Sequence, residues 1–203
     1  MSERFYLLPL WLRVWHWTNA ALIITLTITG ISLHFAGPGR FLVEFSLAAQ
    51  IHDIAGIALA TAYTCYFILN IVTGNGLQYF PRSPVIKGCI KQARYYMWGI
   101  FRGEDHPYAV TKETKFNPLQ ALLYWVIMYM VVPVVVITGL IFFFPSVAPD
   151  KLFGLDGLLP VAFLHYISSA VIVLFLIGHI YLGTTGKTPT AMFKMMITGW
   201  HEH

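Results

Sequence analysis

The sequence is poor in charged residues and in cysteine. Only 11% of its 203 residues are charged, against roughly 25% in an average globular domain. At the same time 57% of the residues are hydrophobic. This composition excludes a disordered chain, a coiled coil and a nucleic-acid-binding tail. We therefore expect a membrane protein that contacts lipid and has no nucleic acid partner.

The chain has two cysteines, of which Cys65 lies in an apolar run and Cys89 in a polar stretch. Two cysteines placed this way do not predict a disulfide framework or a zinc cluster. The sequence also lacks a Cys-x-x-Cys-His motif, which excludes a covalently attached c-type haem.

Four apolar runs approach the roughly 20 residues that a helix needs to cross a bilayer. They cover residues 12–35, 47–73, 119–144 and 161–182. The sequence therefore predicts an all-α membrane protein, in which a four-transmembrane-helix bundle forms a single domain over residues 1–203.

The basic residues indicate which way this bundle faces. Of the 13 Lys and Arg residues, all except Arg40 and Lys151 lie before or at the start of the first run, between the second and third, or after the fourth. An excess of Lys and Arg marks the cytoplasmic side of a membrane. We therefore expect both termini and the long segment between spans two and three to be cytoplasmic, and we call this end of the bundle the inner end.

The long segment has the pattern of an amphipathic helix. Lys87, Lys91 and Arg94 fall on one helical face, whereas Ile86 and Ile90 fall on another. This pattern predicts an interfacial helix on the inner membrane surface. An ordinary basic cytoplasmic loop is the alternative.

Four histidines lie inside the apolar runs. An ionisable side chain within a membrane is costly, and it marks a functional site by default. The predicted topology puts His16 and His179 near the inner end and His52 and His165 near the outer end. We call these the inner pair and the outer pair.

The interval between His165 and His179 supports this pairing. Fourteen residues turn an α-helix through about 1400°, only about 40° short of four full turns, and rise about 21 Å. Both rings therefore leave one helix face at two depths, where two flat macrocycles would fit. A six-coordinate haem iron takes two imidazoles, whereas zinc needs four ligands, and Asp53 is the only acid inside a run. We predict two b haems with His16, His52, His165 and His179 as iron ligands.

Other residues near these histidines have weaker roles in the prediction. Gly56, one turn after His52, leaves room for a flat group, and His34 is an alternative to His52 as a ligand. Arg13 and Asn19 lie within a turn of His16 and could meet haem propionates, although Asn19 would equally serve as an interhelical hydrogen bond. The tripeptide Ile-Thr-Gly occurs at 28–30 and again at 137–139, which is too short to indicate a repeat.

Three segments resemble a known family. They are Trp-Leu-Arg-Val-Trp-His-Trp-Thr-Asn-Ala at 11–20, His-Asp-Ile-Ala-Gly at 52–56 and Lys-Phe-Asn-Pro-Leu-Gln at 115–120. They are similar to the prokaryotic di-haem cytochrome b subunits of hydrogenases, formate dehydrogenases (gamma subunit) and thiosulfate reductases. The similarity covers nearly the whole chain, and it implies a four-helix bundle with two b haems held by the four histidines.

The resemblance also implies a quinone site at the start of the third span. On this chain it would include Asn117, with Lys115 and Gln120 nearby. The residues alone leave a second role open, because Asn117 precedes a helix and is also a preferred N-cap.

Together these features predict a membrane electron-transfer subunit that is not catalytic alone. If protein ligands fill both axial positions of each iron, the haems carry electrons and do not bind a substrate. The expected partners are a quinone, menaquinone or ubiquinone, and a periplasmic iron-sulfur or multihaem cytochrome subunit. The expected location is the cytoplasmic (inner) membrane of a bacterium or archaeon.

Two alternatives remain at this point. The first is a small metal or proton transporter that uses its intramembrane histidines, which the scarcity of acids disfavours. The second is a structural anchor for a larger complex, in which the histidines would have no function.

Overall fold

Four long helices build the protein. The computed structural model describes residues 4–37, 42–80, 84–108, 110–111, 114–186 and 188–202. Within them the helices long and apolar enough to cross a membrane are Leu10–His34, Phe45–Thr73, Pro118–Phe143 and Leu158–Gly183. We call them spans one to four. Their ends lie within three residues of the predicted runs, so the four-span bundle is confirmed.

The third span is not a uniform α-helix. It consists of α4 (Pro118–Val126), a π-helical turn (Ile127–Val131) and α5 (Val132–Phe143). Spans one, two and four are the continuous helices α1 (Leu10–His34), α2 (Phe45–Thr73) and α6 (Leu158–Gly183). A π-helical turn inserts one residue into a helix and often lies at a functional site.

Local capping interactions set the ends of the spans more sharply than hydropathy does. The Glu44 carboxylate accepts hydrogen bonds from the Ser46 and Leu47 amides at the start of α2. Gly74, in the left-handed conformation with φ +67°, ends the same helix, as glycine commonly does. The third span begins with a capping box, in which Asn117 and Gln120 bond each other's backbone amides.

The spans are arranged as two helical hairpins. Span one packs most extensively on span two, and the α5 part of span three packs on span four. A buried apolar cluster joins the third and fourth spans through Val132, Val135 and Ile172. A second cluster, at the inner end, contains Leu12 and Tyr66.

A short sheet joins the two ends of the chain at the inner end. Strand β1 (Arg4–Tyr6) pairs antiparallel with β4 (Trp200–Glu202), which follows the helix α7 (Ala191–Thr198). The Arg4 guanidinium lies 5.0 Å from the centre of the Trp200 ring. A two-residue hairpin, β2 (Lys151–Leu152) with β3 (Leu155–Asp156), precedes span four. The all-α prediction did not include these strands.

The segment between spans two and three contains the predicted helix. It begins as α3 (Val85–Arg94) and continues through a π-helical turn, Tyr95–Gly99. Gly88 packs against Pro118, where a Cβ atom would lie only 2.8 Å from the proline side chain. Ile86 and Ile90 face away from the protein and are exposed. An exposed apolar face is typical of a helix at a membrane surface, although that location stays a prediction.

Candidate functional site

The outer pair of histidines meets across the bundle. Span two contributes His52 and span four contributes His165, and their ring centroids are 6.4 Å apart with an interplanar angle of 68°. The structure therefore brings together the two side chains that the predicted topology pairs at this depth.

The inner pair meets in the same way. The ring centroids of His16, on span one, and His179, on span four, are 5.9 Å apart at an angle of 53°. Phe175 stacks on His179 at 5.6 Å, and Trp17 meets His16 edge to face at 5.3 Å. Aromatic rings thus limit the orientations that both inner imidazoles can take.

The separation within each pair suits one metal ion between two imidazoles. A metal–nitrogen bond of about 2.0 Å, plus about 1.1 Å from nitrogen to ring centre, puts two opposed rings roughly 6 Å apart. Over the described residues, no group of three or more His, Cys, Asp and Glu side chains could hold a metal ion. A cofactor that needs only two axial ligands from the protein, such as haem, therefore fits these pairs, whereas a four-ligand zinc ion does not.

A threonine fixes the orientation of His52. The Thr29 hydroxyl lies 2.8 Å from His52 Nδ1 and donates its proton to the Thr25 carbonyl at 2.9 Å. With its proton committed, the hydroxyl accepts from Nδ1–H of the imidazole. His52 is thereby held as the tautomer whose Nε2 carries the lone pair needed to bind a metal.

His165 has an equivalent partner on the third span. The Thr138 hydroxyl lies 2.9 Å from His165 Nδ1 and donates to the Val134 carbonyl at 2.7 Å. The same argument leaves Nε2 of His165 free. Both outer imidazoles therefore have the protonation pattern of a metal ligand.

A cavity lies beside the outer pair. Its volume is about 740 Å³, and both outer histidines line it together with Gly56. This volume is within the range of about 300–1,000 Å³ typical of cofactor sites. A Cβ atom built on Gly56 would meet nothing within 4 Å, so the predicted open space beside this glycine is present.

His34, the alternative ligand, also lines the cavity. Its ring stacks on Tyr166 of span four, with centroids 4.6 Å apart and planes 20° apart. The ring that faces His165 is that of His52.

Hydrogen bonding at the inner pair is weaker. The Tyr124 hydroxyl lies 3.3 Å from His179 Nδ1. His16 Nδ1 is buried and has no hydrogen-bond partner among the described residues. The inner imidazoles are thus positioned mainly by packing.

The two polar residues predicted beside His16 have different surroundings. Arg13 donates to the Ile197 carbonyl of α7, while its buried Nε finds no partner in the described part of the chain. Asn19 is half-buried on span one. Arg13 therefore ties the last helix to the first span and keeps one donor unused.

The predicted quinone residues surround the start of span three. Asn117 is 7% exposed, and its Oδ1 accepts from the Gln120 amide at 2.9 Å. The Asn117 Nδ2 donates to the Tyr96 hydroxyl at 3.0 Å. Asn117 is therefore the N-cap that the sequence left open as its second role.

Lys115 and Tyr96 are the ionisable groups of this region. Lys115 Nζ donates to Asn75 Oδ1 at 3.0 Å, and burial lowers the pKa of Lys115. Burial raises the pKa of Tyr96, so its hydroxyl keeps its proton at neutral pH and can donate it. Tyr124, one turn further along span three than Gln120, connects this region with His179.

Comparison with known proteins identifies the family. The family described as "Prokaryotic cytochrome b561" matches residues 7–199. The chain is also 37% identical over 203 residues to the Escherichia coli (strain K12) protein "Putative cytochrome YdhU", and the match covers 100% of this chain and 76% of the relative. The chain belongs to the prokaryotic cytochrome b561 family.

Family membership confirms the predicted class. The protein is a multi-pass membrane cytochrome, and a b-type cytochrome contains haem b and transfers electrons. The histidine separations, the fixed tautomers of the outer pair and the cavity beside Gly56 all fit that group. His52 and His165 would hold a haem at the outer end of this cytochrome, and His16 and His179 would hold one at the inner end.

Sequence reasoning missed the partners of the histidines. Thr29 and Thr138 bond the outer imidazoles, and Tyr124 approaches His179. The signal for the threonines was present, because they are the central residues of the two Ile-Thr-Gly tripeptides at 28–30 and 137–139. Each copy of the tripeptide thus contacts one outer histidine.

Proposed function

We propose that this cytochrome carries electrons between the quinone pool and an oxidoreductase partner through two bis-histidine b haems. The observation that carries the proposal is the presence of two facing histidine pairs, one near each end of the bundle. Their ring separations, 6.4 Å and 5.9 Å, agree with the roughly 6 Å expected for two imidazoles on one metal ion.

The side chains of the chain would hold and insulate the cofactors. Haem iron supplies reversible one-electron chemistry when it is bound between two imidazoles. The four histidines would hold the haems, two imidazoles to each iron, and no position would then remain for oxygen or a substrate. Apolar side chains of all four spans line the outer cavity and would surround a cofactor bound there.

The proposed quinone site lies at the start of span three, around Asn117 with Lys115 and Gln120. Support comes from the buried polar groups there and from Tyr124, which reaches His179. The Tyr96 hydroxyl would donate to a quinone carbonyl, and Lys115 would supply positive charge. Menaquinone and ubiquinone both present the carbonyl groups that these donors suit.

The orientation follows from the distribution of charge. In the sequence, eleven of the 13 Lys and Arg residues precede or begin span one, separate spans two and three, or follow span four, so the inner end would face the cytoplasm. The membrane would be the cytoplasmic (inner) membrane of a prokaryote. The partner, a periplasmic iron-sulfur or multihaem cytochrome subunit, would dock on the outer end, close to His52 and His165.

Haem content is the first test. The purified protein is expected to be red, with a reduced-minus-oxidised spectrum of b type and two haems per chain by pyridine haemochrome analysis. A colourless protein that retains its fold would contradict the proposal, and it would favour the transporter or the structural anchor. A single haem per chain would contradict the two-site arrangement.

Replacement of Asn117 tests the quinone site. Asn117→Asp keeps a side-chain oxygen for the N-cap, but it removes the amide that donates to the Tyr96 hydroxyl. The new carboxylate would accept the Tyr96 proton that the proposed quinone carbonyl needs. A hydrogen bond is worth about 0.5–1.5 kcal/mol, so quinol-driven haem reduction should slow about three- to tenfold. Reduction by dithionite, which needs no quinone site, should be unchanged.

A second capping residue provides the matched control. Glu44 caps span two at the outer end, so Glu44→Gln should leave the rate of quinol-driven reduction unaltered. Equal rates in wild type and Asn117→Asp would argue against a quinone site at this position.

A further inference from the structure

The two Ile-Thr-Gly tripeptides make the same contacts at equivalent places in the two helical hairpins. In the first hairpin Thr29 bonds His52, and in the second Thr138 bonds His165, at 2.8 and 2.9 Å. Each threonine is buried, at 2% and 5% exposure. Each hydroxyl is thus a desolvated acceptor for one imidazole N–H.

The glycine that follows each threonine lies against another side of the same imidazole ring. A Cβ atom on Gly30 would lie 3.4 Å from His52 Cε1, and one on Gly139 would lie 3.3 Å from His165 Cε1. The distance at Gly30 is at the lower limit of ordinary van der Waals contacts and that at Gly139 is just below it, so the absence of a side chain lets each ring approach the neighbouring helix. Threonine and glycine together fix both the tautomer and the tilt of the imidazole.

A hydrogen-bond acceptor at Nδ1–H also changes the donor strength of the ligand. A partner on the second ring nitrogen raises the basicity of a metal-bound histidine. A more basic ligand stabilises the more positive, oxidised iron and lowers its reduction potential. The inner pair lacks this support, because His16 Nδ1 has no partner among the described residues and the bond to His179 is long, at 3.3 Å.

We propose that Thr29 and Thr138 are positioning residues that fix the outer histidines as Nε2 ligands and lower the reduction potential of the outer haem. This inference rests on the proposed function, because it requires a haem at the outer pair. It assigns to these two hydroxyl groups a contribution to the reduction potential at the outer end of the bundle.

The test is a redox titration of single variants. Thr29→Val and Thr138→Val keep the shape of the side chain but remove the acceptor. Each should shift the reduction equilibrium of the outer haem about threefold toward the reduced form, which is about 28 mV at 59 mV per tenfold for one electron. The double variant should shift it about ninefold, and the inner haem should stay unchanged.

Conservative and matched variants separate this effect from a loss of packing. Thr29→Ser and Thr138→Ser restore the hydroxyl and should return the potential to the wild-type value. Thr61, on span two, also donates to the carbonyl four residues earlier and is exposed. Thr61→Val should therefore leave both potentials unchanged.

The haem content and potentials of these variants either support or overturn the proposal. Loss of the outer haem in a valine variant, with recovery in the serine variant, would support the proposal. Unchanged potentials in both valine variants, or haem loss in valine and serine variants alike, would overturn it and leave two-haem electron transfer intact. A wild-type protein without an outer haem would overturn both proposals, and the haem count distinguishes the two cases before any variant is made.

Discussion

The outer and inner histidine pairs have nearly the same ring separation but different surroundings. At the outer pair, each imidazole bonds a buried threonine and faces a glycine. At the inner pair, aromatic rings surround the imidazoles and the hydrogen bonds are long or missing among the described residues. The two outer imidazoles therefore have matching hydrogen-bond partners and neighbours, whereas the two inner imidazoles do not.

The spacing of residues shows where the similarity between the two helical hairpins ends. Fourteen residues separate His52 from Tyr66, and fourteen separate His165 from His179, so Tyr66 occupies the position equivalent to His179. In the first hairpin Trp15 stacks on Tyr66, with ring centroids 3.9 Å apart. At the equivalent place in the second hairpin, Tyr124 contacts His179. The first hairpin therefore has an aromatic pair where the second has a candidate ligand.

This difference indicates that the outer and inner ends of the bundle have different roles. The candidate inner ligand of the first hairpin is His16, the neighbour of Trp15, and the equivalent position of the second hairpin holds Trp125. The two hairpins differ at the inner end of the bundle, which is also the end that carries Asn117, Lys115 and Tyr96. We infer that the outer end is built to hold a cofactor, while the inner end is also shaped for an exchangeable molecule.

The largest expected effect separates the two pairs directly. His165→Ala should lower the haem content from two to one per chain by loss of the outer haem, and His179→Ala should lose the inner haem instead. Each removes one of the two imidazoles that would hold that haem. Pyridine haemochrome analysis with redox titration would identify which haem remains.

His34→Ala is the control for those variants and should retain both haems. Loss of a haem in His34→Ala, with retention in His52→Ala, would transfer the outer ligand role to His34.

A second variant should disturb only the inner end. At Gly199, with φ +83°, a Cβ atom would lie 2.6 Å from the Leu8 carbonyl oxygen and from the Tyr6 ring. Gly199→Ala should therefore separate β1 from β4 and cost about 1–3 kcal/mol beyond the backbone strain. Limited proteolysis of α7 and the thermal stability of each haem would report it.

Gly103 offers a matched comparison for that variant. Its φ of +69° is similar, but a Cβ atom there would meet nothing within 4 Å. Gly103→Ala should therefore lose only the stability that the backbone strain at positive φ costs. Equal losses in the two variants would refute the predicted clash.

A smaller effect is expected at the outer pair. Gly139→Ala would press a methyl group on His165 Cε1 at 3.3 Å and should destabilise the protein by about 1 kcal/mol. It should also alter the spectrum of the outer haem. Gly37→Ala, at an exposed position with open space around its Cβ position, should change neither quantity.

The smallest effect is a pH dependence at the inner end. Burial lowers the pKa of Lys115 from its ordinary value of 10.5, so the folded state releases this proton at a lower pH than the unfolded state. Stability contributed by Lys115 therefore rises with pH in a window that ends near 10.5. The melting temperature of wild type, relative to Lys115→Met, should increase across that window. A constant difference between the two proteins would contradict this sign.

Much of the fold and of the histidine arrangement was predictable from sequence. Hydropathy located the four spans within three residues, because lipid requires long, uninterrupted apolar helices. The depths of His16, His52, His165 and His179 followed from the topology alone. Their pairing needed no knowledge of side-chain contacts.

Contacts between distant parts of the chain were not predictable. The β1 and β4 strands are each three residues long, too short for an alternating pattern. Arg13 donates to Ile197, 184 residues away, whereas the sequence suggested only a propionate partner. The partner of each outer histidine lies on a neighbouring span, so it could be recognised only once the spans were packed.

The π-helical turn at Ile127–Val131 has a consequence for the third span as a whole. Tyr63 of span two donates to the Met128 carbonyl within this turn at 2.7 Å, so the irregular backbone is anchored to its neighbour. The turn takes up one extra residue, so removing one residue within it would restore regular winding and leave Tyr124 and Thr138 close to their present faces. Removing one residue from the regular helix α5 ahead of Thr138 would instead rotate Thr138 by about 100° away from His165, while Tyr124 stayed beside His179. The same deletion would thus be tolerated in the π-helical turn and would disrupt the outer pair when made a few residues further on.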